Sequence, residues 1–288
     1  MLQLVTIKLS KLGGMQMSSY EKIKNVVYHT SQNEHHTADV YLPTSGTDHP
    51  LVIMVHGGAF QAGTKEMYSG WGPYLAEQGI ASMAINYTLT HPTRPSYPQL
   101  LNDMEAAIGF VTAHANEWKI NPLNLGFMGD SAGGYLGVMA AFAPQRSSSR
   151  IKFVISVYGV LDIIEWFHHT NATREDFVVN KLFGTDPYTS QALYENASPL
   201  HLVDKAVKNP MFNTKFYLIW GEQDEIVNCQ KHSVPFAKRL EANDIAYKKD
   251  SFGELGHFWF TQNDETDSTV MDDNLLELRE RIVSFVKA

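Results

Sequence analysis

Apolar runs and amphipathic runs alternate along most of this chain. Leu51-Val52-Ile53-Met54-Val55-His56 is almost wholly apolar, which fits a strand covered on both faces in a parallel sheet. Ile80 to Tyr87, Leu123 to Met128, Phe153 to Gly159, Phe216 to Trp220 and Ala246 to Phe252 are further strand candidates. Between them, helices are expected around Trp71 to Gly79, over Gln99 to Lys119, over Tyr135 to Ala141 and from about Gln230 to Ala242. A closing helix is expected from about Asn274 to Lys287. In the Gln99 to Lys119 segment, Leu100, Met104, Ala107, Ile108, Val111 and Trp118 mark one apolar face. Ahead of all this, Lys24 to Tyr28 and Ala38 to Leu42 are β-rich runs separated by the polar stretch Thr30 to His36, which predicts an antiparallel hairpin. Repeated strand and helix then predict a mostly parallel, doubly wound sheet with right-handed crossovers. Regularity lapses from residue 161 to 210, where helical pieces without a clear strand predict an insertion over the C-terminal ends of the strands.

The chemistry gathers at those same strand ends. Gly129-Asp130-Ser131-Ala132-Gly133-Gly134 stands between a strand candidate and a helix candidate. A serine flanked by small residues at such a junction sits on a sharp turn with its hydroxyl at the top of the sheet. The helix that starts there also aims free N–H groups at the same spot. A hydroxyl needs a base, and the base needs an orienting carboxylate. Asp224 follows one strand and His257 the next, so a parallel sheet carries both to the edge that holds Ser131. The order serine, aspartate, histidine matches what this arrangement requires. Glu222 and Glu225 flank Asp224 and read as surface charge.

These motifs, together with His56-Gly57-Gly58-Ala59-Phe60, Gly221-Glu222-Gln223-Asp224 and Gly256-His257, resemble the α/β-hydrolase superfamily, and within it the hormone-sensitive-lipase-like esterases and acetyl esterases. The resemblance covers nearly the whole chain after about Lys22. It implies an α/β-hydrolase domain over residues 21–288 with a small cap over about 161–210, preceded by an extension over 1–20. It further implies a catalytic Ser131, Asp224 and His257, and an oxyanion hole formed by the N–H groups of Gly58, Ala59 and Ala132. Gly57 would allow the loop its tight path and His56 would orient it. The family's usual third glycine is Ala59 here, which still supplies an N–H.

Composition narrows the picture without redirecting it. The chain has 288 residues and a formal net charge of −8, with no lysine-rich run, so no nucleic-acid partner is expected. One cysteine, Cys229, allows no intramolecular disulfide and no cysteine metal cluster, and it reads as a small buried side chain. No metal site and no cofactor are expected. His35-His36 and His168-His169 read as solvated loop pairs, and Asp162 as a helix cap. The N-terminal residues make a poor signal sequence and no run is apolar enough to span a bilayer, so a cytoplasmic protein is expected. The expected partner is a small ester substrate, with a homodimer left open. The leading reading is a serine carboxylesterase acting on short-acyl esters such as acetylated or feruloylated sugars. An arylformamidase-type amide hydrolase is the alternative, and a non-catalytic ligand-binding homologue is a further one.

Overall fold

The computed structural model describes residues 19–31, 33–143, 151–173, 180–261 and 273–288. Eight strands form one sheet in the order β1-β2-β4-β3-β5-β6-β7-β8. They are β1 (Tyr20–Ser31), β2 (Glu34–Pro43), β3 (His49–Val55), β4 (Ala81–Ile85), β5 (Ile120–Asp130), β6 (Ile151–Val157), β7 (Lys215–Gly221) and β8 (Tyr247–Phe252). The β1–β2 and β2–β4 pairings are antiparallel and the others parallel. Only the five strands β3 to β7 have the continuous apolar character that two covering layers demand, and their inner residues are buried. At the margin, β8 carries Lys248, Lys249 and Asp250, charges that blunt an open edge.

Helices cover both faces. On one lie α2 (Gln99–Ala113), α3 (Ala132–Phe142) and α8 (Ser233–Glu241), whose Leu100, Met104, Leu136, Phe236 and Leu240 meet Ile53, Phe127 and Leu218 in one core. On the other, Trp71 and Leu75 of α1 (Trp71–Glu77) share a second core with Leu278, Ile282 and Val286 of α9 (Asp273–Lys287). Each fully buried side chain of this size contributes about 1.5–3 kcal/mol through removal from water. Between β6 and β7 come α4 (Ile163–Thr173), α5 (Asn180–Phe183), α6 (Gln191–Asn196) and α7 (Pro199–Ala206). Among the described residues, no helix is long and apolar enough to cross a membrane.

Two local expectations change. The polar stretch Thr30 to His36 is not a loop: pairing continues to Ser31 opposite Glu34, and His36 is a buried strand residue. The helix expected to reach Lys119 stops at Ala113; Trp118 follows in a turn that ends with Lys119 at φ +54°. Its apolar face persisted because Trp118 still stacks on His114, with ring centroids 4.8 Å apart. The extension expected over residues 1–20 lies outside the described residues except for Ser19 and Tyr20, and Tyr20 already pairs with Pro43.

Candidate active site

Ser131 joins β5 to α3 with φ +52° and ψ −115°, a conformation a serine holds only when its surroundings impose it. They do so from both sides. Its N–H donates to the Val157 carbonyl at 2.9 Å, and its carbonyl accepts the first helical bond from Tyr135 N–H at 3.1 Å. The turn is closed so tightly that a Cβ on Gly133 would lie 1.9 Å from the Val55 carbonyl oxygen. Every residue from Ala132 to Ala141 is buried, so α3 is a core helix whose N-terminus opens at the serine.

Beside it, the chain leaving β3 makes three successive left-handed residues, with φ +113° at Gly58, +52° at Ala59 and +63° at Phe60. The Gly58 carbonyl accepts from Gln61 and Ala62, each at 3.0 Å, and Phe60 accepts from Thr90 N–H at 2.7 Å. A Cβ on Gly58 would meet the Ala62 carbonyl oxygen at 2.1 Å, so only glycine fits there. His56 supports this loop from beneath. Its Nδ1–H donates to the Gly57 carbonyl at 2.7 Å, and its ring stacks on Tyr87 at 4.5 Å. Burial pulls its pKa down to about 4, so the ring is neutral near pH 7. Among the described residues, the N–H groups of Gly58, Ala59 and Ala132 have no hydrogen-bond partner in the protein.

Asp224 and His257 meet across the loops that follow β7 and β8. His257 Nδ1–H donates to Asp224 Oδ2 at 2.6 Å, and Asp224 Oδ1 accepts from Ile226 N–H at 2.9 Å and Val227 N–H at 2.8 Å. Both side chains are almost fully enclosed. The two loops are sewn together, because Glu222 N–H donates to Phe252 and Gln223 N–H to Leu255. The Tyr158 ring lies 4.4 Å from that of His257 and fixes its plane. Tyr158 directly follows Val157, the residue that holds Ser131, so serine and histidine share one support. Among the described residues, no hydrogen bond joins Ser131 Oγ to His257; in sites of this kind that bond often tightens only when substrate is bound.

Described residues of the 161–210 segment reach the loop that follows β3. Trp166 of α4 lies against Phe60 with ring centroids 5.9 Å apart, Phe60 against Tyr135 at 5.3 Å, and Tyr135 OH donates to the Ala197 carbonyl at 2.9 Å. Asp162 caps α4, accepting from Ile164 N–H at 3.0 Å and Glu165 N–H at 3.3 Å. Its own N–H donates to Nδ1 of His232, a ring whose pKa burial lowers to about 3. His36 is no solvated bystander: its ring hydrogen-bonds Thr88 Oγ1 at 3.1 Å inside the fold. The exposed His35 ring hydrogen-bonds Thr30 Oγ1 at 2.9 Å. Among the described residues, no three His, Cys, Asp or Glu side chains converge as metal ligands.

Sequence reasoning passed over Asp130. Its carboxylate is enclosed, and Oδ1 accepts from both Gly57 N–H and Tyr68 OH, each at 3.0 Å. Burial pushes its pKa up to about 6 against the pull of these donors and of protonated His257. It stands inside the serine motif itself, but nothing local says where its side chain goes.

A strained serine at the mouth of a core helix, flanked by a left-handed loop and a coupled aspartate and histidine on one sheet edge, defines an α/β-hydrolase. More narrowly, the chain belongs to the BD-FAE family, which matches residues 38–240. It is similar to an acetylxylan esterase of Xylanibacter ruminicola, 34% identical over 237 residues, covering 78% of this chain and 45% of that protein. An acetyl esterase of Salmonella schwarzengrund is 28% identical over 152 residues, covering 51% of this chain and 43% of that one. The chain thus spans less than half the length of these curated relatives. Among solved structures, esterase B from Lactobacillus rhamnosis superposes with a TM-score of 0.75 at 20% identity, covering 93% of this chain and 87% of that one. A truncated carbohydrate esterase from gut microbiota gives 0.71 at 22%, covering 94% and 96%.

Proposed function

We propose that this protein is a serine esterase that cleaves short-acyl carboxylic esters, acetylated sugars foremost, through an acyl-enzyme. The observation that carries the reading is the 2.6 Å contact between His257 Nδ1 and Asp224 Oδ2 on the edge that presents Ser131. With Nδ1–H committed to Asp224, His257 Nε2 is the free lone pair that takes the Ser131 proton as Oγ attacks the ester carbonyl. The carbonyl oxygen becomes an oxyanion, received by the N–H groups of Gly58, Ala59 and Ala132; each such donor is worth about 3 kcal/mol in comparable sites. His257 then returns the proton to the departing alcohol. Water, deprotonated by the same ring, attacks the acyl-enzyme, releasing the acid and restoring Ser131. Asp224 stabilises the imidazolium in both halves.

The names of the relatives support acetyl groups on carbohydrate as the substrate, and no observation favours the formamidase alternative. All three residues of the triad come from one chain, so a homodimer would add none of them. Cys229 is a buried free thiol that calls for no oxidising compartment, which supports a cytoplasmic setting.

The test is hydrolysis of p-nitrophenyl esters from acetate to long acyl, and of acetylated xylan, by the wild type and Ser131→Ala. Activity peaking at acetate or propionate and lost by roughly 1,000-fold or more in the variant is expected. Unchanged hydrolysis by Ser131→Ala would refute the serine mechanism, and a preference for long acyl chains would refute the substrate.

A further inference from the structure

Asp130 is a buried carboxylate that has no direct cationic partner among the described residues and no place in the mechanism above. Charges in such places cost several kcal/mol unless something offsets them, and a neutral residue would fold more easily. Its surroundings are specific. Oδ1 holds Gly57 N–H, at the root of the oxyanion loop, and Tyr68 OH. Tyr68 packs edge-on against Phe260, and the Phe260 N–H donates to Tyr158 OH at 3.3 Å while its carbonyl accepts from Trp71 Nε1 at 3.2 Å. Tyr158 in turn carries the His257 ring. One carboxylate therefore ends a buried path that touches the oxyanion loop, the serine turn and the histidine loop.

The groups facing it are few. Tyr68, Tyr87 and Tyr158 feel the Asp130 charge, and burial raises the pKa of all three, so they remain neutral phenols. His56 is held neutral. Lys65 and Glu66, on the same turn as Tyr68, pair with each other, and Lys65 also pairs with Asp39. Asp224 is engaged by His257 and two backbone N–H groups.

We propose that Asp130 is a positioning residue for the reaction: it fixes the oxyanion loop through Gly57 and, through Tyr68, ties that loop to the Phe260 and Tyr158 support of His257. This rests on the esterase reading. Burial raises the Asp130 pKa to about 6, so the charge is present at neutral pH and is lost on acidification, and His257 must be unprotonated to act as the base. Protonation of either group disables the site, so the acid limb of kcat/KM reports both together.

The variants Asp130→Asn and Tyr68→Phe move that limb in opposite directions. Asparagine keeps an oxygen for Gly57 and Tyr68 but removes the charge. The Asp130 ionisation then no longer contributes to the acid limb, which moves to lower pH, while kcat falls on the order of 10-fold with KM within about twofold. Phenylalanine keeps the charge and removes one donor to the carboxylate. Asp130 then takes a proton more readily, and the limb moves to higher pH with a smaller loss of kcat. Both are measured over pH 4.5–8 on p-nitrophenyl acetate, with thermal unfolding to establish the fold. If Asp130→Asn does not fold, the direction of the Tyr68→Phe shift decides. Wild-type kinetics in these variants, or lower rates with both limbs unmoved, overturn the proposal. Ser131→Ala in the same assay keeps the two claims apart: activity surviving there removes the esterase reading and this inference with it, whereas a dead Ser131→Ala with unmoved limbs removes only the inference.

Discussion

The two flanks of Ser131 are built from different materials. On the Gly57 to Phe60 side the geometry is held in the backbone: three consecutive positive φ angles, a glycine with no room for a Cβ, and N–H groups left free to point outward. On the Asp224 and His257 side the geometry is held by side chains: one carboxylate receives two loop N–H groups and an imidazole, and a tyrosine ring fixes the imidazole plane. On the proposed esterase reading, the difference follows from the task. An oxyanion is met by fixed dipoles that need not move, whereas a proton carrier needs a ring whose charge can change. The backbone flank should therefore be intolerant of added atoms and indifferent to chemistry, and the side-chain flank the reverse.

Substitutions can break that contrast in order of severity. Asp224→Asn preserves shape but offers His257 the wrong hydrogen-bonding partner, and a loss in kcat of roughly 1,000- to 10,000-fold is expected in steady-state ester hydrolysis. Wild-type turnover would mean that the side-chain flank does not depend on its chemistry. Gly58→Ala adds a single methyl group 2.1 Å from the Ala62 carbonyl oxygen. The loop must shift, and kcat should drop on the order of 100-fold while KM changes little; an active Gly58→Ala would show that the backbone flank has slack.

Acid should strain the supports more gently. His56 and His232 have folded-state pKa values lowered by burial to about 4 and about 3, so the unfolded chain takes up their protons first. The stability they contribute is present above pH 6.5 and declines as pH falls toward those values. Asp130, raised to about 6, works the other way and regains stability over the same interval. Two histidines outweigh one carboxylate, so the thermal midpoint should fall between pH 6.5 and 4.5, and His232→Gln should flatten that slope. A midpoint that holds steady would contradict the burial of these rings.

The mildest change is Ala59→Gly. Ala59 sits at φ +52°, where glycine is at ease, but glycine also gains freedom in the unfolded chain. The two effects roughly cancel, so stability should change by less than about 1 kcal/mol and kcat by only a few-fold. A larger rate change would show that the methyl group itself touches the substrate.

Much of this was readable before any coordinates. Strands β3 to β7 announced themselves because two-sided burial leaves few polar positions, and the serine turn because a sharp junction tolerates only small flanking residues. The order of Ser131, Asp224 and His257 followed from loops that come after successive parallel strands. What escaped were supporting roles that depend on a distant partner and carry no motif. His36 looked like a loop residue in a polar run, yet Thr88, 52 positions away, receives its ring inside the fold. Trp118 kept helical spacing beyond the true end of α2 because aromatic stacking with His114 imitates the period of a helix.

The sequence by itself determined the sheet and the edge at which Ser131, Asp224 and His257 lie, because apolar periodicity and turn composition are local and survive without a third dimension. Tertiary structure alone decided that Asp130 faces Gly57 and Tyr68, that His56 and His232 are neutral, and that Tyr158 aligns His257. Each of those outcomes depends on desolvation and contact between segments far apart in the chain, and no local pattern encodes which of them will meet.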